Sequence, residues 1–111
     1  MADVRYADLI RKLADRGWDV VRRDRDVEWW ADEIWTVQSV WAPRDFTVFV
    51  TWLIDPESLS GTWGVGAALE WPSGRMEASA AACIGINRWP RDVPDFLAAL
   101  DRLRGAANPS T

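Results

Sequence analysis

At 111 residues, 49% hydrophobic and 27% charged, the chain has the size and mix of a globular protein that folds around one core without disulfides or a structural metal. A net charge of −4 and a sequence pI near 4.7 oppose nonspecific attraction to nucleic acid or to an anionic membrane surface. Histidine is absent, which removes the commonest zinc ligand and every His-based triad, and the single cysteine, Cys83, cannot close an intramolecular disulfide.

The first residues, Met-Ala-Asp-Val-Arg-Tyr-Ala-Asp, carry charges where a signal peptide needs an apolar stretch, and no apolar run approaches the roughly 18 residues of a membrane span. A cytoplasmic protein is expected. The domain is expected to occupy residues 1–105, with 106–111 as a disordered tail.

Taken in chain order, Asp3 can cap a first helix, in which Tyr6, Leu9, Ile10 and Leu13 recur at helical spacing until Gly17 supplies a left-handed stop. The period then changes to alternation, and breaks at Pro43 to Asp45, Asp55 to Gly61 and Pro72 to Gly74 divide the middle into strands. Strands are predicted at 18–23, 34–41, 46–54 and 63–71, with 77–87 as a fifth whose alanines would also suit a helix. Residues 24–32 read as an irregular or partly helical connection. A last helix is announced by Asp92 as cap, Pro94 in the first turn, and a stripe of Val93, Phe96, Leu97, Leu100 and Leu103, with Gly105 ending it.

Short connections make neighbouring strands antiparallel, so the expected fold is α+β. It is a two-layer sandwich: a four- to five-stranded antiparallel meander, flanked by an N-terminal and a C-terminal helix that together cover one face. A half-barrel wrapped on one helix is the alternative.

Nine tryptophans are the feature that needs explaining. Along the third strand, Val48, Val50 and Trp52 alternate with Phe49, Thr51 and Leu53, so neither face is polar. The fourth strand sets Trp63, Val65 and Ala67 against Gly64, Gly66 and Ala68, bulky against small. Trp18, Trp52 and Trp63 are expected in the core. Trp29, Trp30, Trp35 and Trp41, interleaved with Glu28, Asp32 and Glu33, have the mixture of aromatic and charge found at protein interfaces. Gly64 and Gly66 mark where a backbone, or a ligand held between sheet and helix, can approach closely.

Catalytic chemistry finds little footing. Glu28, Asp32 and Glu33 are the densest acidic group and Asp55 with Glu57 the next, either of which could supply an acid and a base, but spacing alone does not select them. Cys83 sits among alanine, isoleucine and glycine, and Ser58, Ser60 and Ser73 lie in turns without a nucleophile motif. No metal and no cofactor is expected. The function expected is a noncatalytic interaction module using Trp29, Trp30, Glu33, Trp35 and Trp41 toward a protein, either another copy in a homodimer or a different chain. A binder of a small apolar or aromatic molecule at Gly64 and Gly66 is the second reading, and a carboxylate-based enzyme the third.

Overall fold

The computed structural model describes residues 4–28, 31–54, 62–71, 82–85 and 89–107. The order is α1 (Val4–Asp15), β1 (Trp18–Glu28), β2 (Ala31–Ser39), β3 (Thr47–Ile54), β4 (Thr62–Ala68), β5 (Ala82–Gly85) and α2 (Trp89–Ala107). The strands form one antiparallel sheet in sequence order, β1-β2-β3-β4-β5, so the chain meanders without a crossover. This is the expected α+β layout.

α1 buries Tyr6, Leu9 and Leu13 and stops where Gly17 turns left-handed at φ 75°. α2 buries Val93, Phe96, Leu97 and Leu100 at the same helical spacing. Both stripes meet one face of the sheet, made of Trp18 in β1, Trp35 and Val37 in β2, Val48, Val50 and Trp52 in β3, and Val65 and Ala67 in β4. Cross-strand registers Val37↔Val48, Trp35↔Val50, Trp52↔Val65 and Val50↔Ala67 set these side chains in rows, the geometry in which large apolar neighbours stabilise a sheet. At the centre of the layer Tyr6, Trp35 and Trp52 pack ring on ring, with Trp35 and Trp52 centroids 5.2 Å apart.

The opposite face carries Ile34, Thr51 and Leu53 with Gly64, Gly66 and Ala68. It is not open to solvent at these positions, all of which are buried. The apolar character of both strand faces thus corresponds to burial on both.

Several boundaries depart from expectation. Residues 24–28 and 31–32 are strand rather than irregular connection. Their charges look like loop in isolation, but they pair across the hairpin, Arg23↔Trp35 and Arg25↔Glu33, where opposite signs and an indole meet them. β2 ends at Ser39 and β4 at Ala68, so Trp41, Leu69 and Trp71 leave the ladder. Trp71 is accordingly not on the Trp63 side of the strand pattern; it packs edge-on against Phe49 of the opposite face. α2 begins at Trp89, upstream of the expected cap, which places Asp92 in its first turn and Pro94 inside it. It also continues through Gly105 to Ala107, because Gly105 does not adopt the left-handed backbone that makes glycine a stop. Of the expected fifth strand, 82–85 is confirmed; Asp3, residues 77–81 and 86–87, and the side chain of Trp63 lie outside what is described.

Candidate protein-interaction surface

The expected contact residues divide when placed on this fold. Trp29 and Trp30 lie outside the described residues. Glu33 and Trp35 are corrected from surface to interior, at 2% and 0% exposure, because both project from β2 to the face the helices cover. Trp41 alone remains at the surface, 54% exposed.

Glu33 is buried as one half of an ion pair. Arg23, its neighbour across the hairpin, donates twice to its carboxylate, from Nε at 2.7 Å and Nη2 at 3.0 Å, and the Trp35 indole N–H donates at 2.9 Å. Arg25 adds a second cation at 3.6 Å. Burial is the largest influence on this carboxyl and works to raise its pKa. The hydrogen bonds from Arg23 and Trp35 and the two positive charges together outweigh it and hold the group below its ordinary value. The Glu33 hydrogen bond is likewise the main cause that raises Arg23. Arg23 also lies over the Tyr6 and Trp35 rings. A bulge between Ala31 and Glu33 turns Asp32 toward α1, where it accepts a hydrogen bond from the Tyr6 hydroxyl. Every polar group in this cluster has a partner, and a carboxylate kept ionised in this way is the reverse of a poised acid catalyst.

A second cluster, which sequence reasoning missed, forms around Arg104. Its guanidinium is 6% exposed and donates to the Gly17 carbonyl (3.1 Å), the Ser39 hydroxyl (3.1 Å), the Arg16 carbonyl (2.9 Å) and Asp101 (3.3 Å). It thereby ties the backbone of the α1–β1 turn to α2 and to the end of β2. Burial lowers the Arg104 pKa, an effect that Asp101 opposes. Asp101 also receives the Trp18 indole N–H at 3.0 Å and Arg16 at 2.7 Å. The available signal was position: Arg104 falls one turn after Leu100 on the buried stripe of α2, where a charge requires partners.

Trp41 belongs to this cluster. The Arg104 guanidinium lies between two indoles, 4.4 Å from the Trp18 ring centroid and 4.9 Å from that of Trp41. The Trp41 ring also rests on Gly17, so closely that a Cβ there would stand 2.2 Å from it. Its backbone is held equally well: Ser39 Oγ donates to the Trp41 carbonyl and accepts from its N–H, and Val40 N–H donates to the Gly17 carbonyl.

Among the described residues the other large exposed apolar side chains are Val21, Val40, Leu69 and Trp71. Since Gln38 pairs with Thr47 and Phe49 with Ala68, the segments leaving β2 and β4 emerge at the same end of the sheet. Val40 and Trp41 therefore share that end with Leu69 and Trp71.

Gly64 and Gly66 are buried, but on the face turned away from both helices. The space between sheet and helices is filled by Trp18, Trp35, Trp52 and Phe96, which corrects the expected ligand position there. Beside the glycines Thr51, paired with Gly66, is wholly buried, and its hydroxyl has no hydrogen-bond partner among the described residues. Among the described residues no helix is long and apolar enough to cross a membrane. No protein-family model, no curated protein and no solved structure matches this chain.

Proposed function

We propose that this domain is a noncatalytic interaction module that engages another protein through exposed Trp41, at the sheet end where Val40, Leu69 and Trp71 are also exposed. The observation that supports the reading is that Trp41 is half exposed yet fixed on its inner side by Gly17, Arg104 and Ser39. A preorganised aromatic ring loses little conformational freedom on binding, which is what makes tryptophan an effective anchor. A net charge of −4 steers the chain toward a basic surface, which favours a different, basic protein over a second copy as the partner.

The first experiment compares Trp41→Ala with Trp52→Ala. Truncating Trp52 in the core should cost about 3–5 kcal/mol in denaturant unfolding, and Trp41→Ala clearly less. Equal costs would make Trp41 a structural residue and remove the reading. Light scattering across a concentration series should give a monomer; a dimer abolished by Trp41→Ala would make the partner a second copy.

A further inference from the structure

The two helices leave a recess between them. An open groove of about 230 Å³ lies between the last turn of α1 and the first half of α2, lined by Lys12, Asp15, Arg16, Val93, Pro94 and Leu97. Val93 and Leu97, one turn apart on α2, present the edges of core side chains, with exposed Pro94 beside them. The α1 wall is mainly cationic, with Lys12 and Arg16 one turn apart and Asp15 the one acid in the lining. In a chain with 17 acidic and 13 basic residues, the lining thus sets two cations against one acid over an apolar base.

Both cations are held in place. Lys12 Nζ is 2.9 Å from Asp8 and Arg16 Nη1 is 2.7 Å from Asp101, and both cationic side chains are 37% exposed. Both cations remain partly solvated in these pairs, so an incoming carboxylate can share them with Asp8 and Asp101.

We propose that this groove binds a small amphipathic carboxylate, an aliphatic or aromatic acid whose apolar body lies on Val93, Pro94 and Leu97 and whose carboxylate sits between Lys12 and Arg16. The volume is below the roughly 300–1,000 Å³ of pockets for drug-sized ligands, which limits the occupant to acids of the size of benzoate or hexanoate. An open recess of this size implies affinity in the millimolar range. The inference depends neither on Trp41 nor on a protein partner.

The test is a titration of the full chain with benzoate and hexanoate followed by amide NMR, with benzyl alcohol and hexanol as uncharged counterparts. Saturable shifts confined to residues 12–16 and 93–97 are expected, weaker by about fivefold in Lys12→Glu, an exposed substitution whose fold is checked by its thermal transition. The proposal is overturned if the acids give no saturable shift up to their solubility, if the alcohols bind as tightly, or if Lys12→Glu leaves affinity unchanged.

Discussion

Glu33 shows how much a single buried charge depends on its surroundings. Removing its charge in Glu33→Gln leaves Arg23 without its bidentate acceptor and weakens the acceptor of the Trp35 N–H. Because Arg23 is partly solvated, the cost should fall short of that of a fully buried pair, at about 2 kcal/mol in urea unfolding. The pKa of Glu33 is depressed on folding, so its contribution is fully present above the ordinary value of 4.5 and is lost as pH falls through the lower folded value. Acid titration of the wild type should therefore show a loss of stability below about pH 4.5 that is smaller in Glu33→Gln. Thr51 is the opposite case. Its buried hydroxyl has no partner among the described residues, so Thr51→Val, which keeps the shape and removes the polar atom, should raise stability by about 1 kcal/mol in the same assay.

Among the elements, the turn from α1 into β1 is the most constrained, since Gly17 combines a positive φ with an indole against its Cα. Gly17→Ala should cost more than the roughly 1 kcal/mol of the backbone strain alone, because the methyl displaces the Trp41 ring. In a Trp41→Ala background the clash disappears and only the backbone cost remains, so the two substitutions should be strongly non-additive in a double-mutant cycle read by thermal unfolding. The helices are legible in sequence because Leu9, Leu13, Phe96, Leu97 and Leu100 recur at the helical period. β3 is legible because Val48, Val50 and Trp52 alternate. The outer half of β1 is not, since Asp24 and Arg25 are stabilised as strand by Ile34 and Glu33 in β2, and propensity contains no register. Glu33 and Trp35 read as surface for the same reason: without Arg23 and Arg25 from β1 beside them, nothing in the local sequence shows that the carboxylate can be buried.

At the scale of the whole molecule, β1 to β4 follow one another through short connections, while the ends of the chain are joined over long separations. Arg16 to Asp101 spans 85 residues, and Arg104 to Gly17 spans 87. The sheet can form hairpin by hairpin, at little loop-closure cost. The Arg104 contacts, by contrast, require α1, β2 and α2 to be in place already. Contacts of this kind are expected to form late, and a late contact governs how long the folded state lasts rather than how fast it is reached. Arg104→Lys keeps the charge but gives up the planar fork and the stacking between Trp18 and Trp41. If it costs about 2 kcal/mol, stopped-flow measurements should show unfolding faster by about thirtyfold and a folding rate nearly unchanged. The residue that braces the exposed indole would then also set the lifetime of the fold, and a partner of the kind proposed, docking on Trp41, would prolong that lifetime by holding these contacts shut.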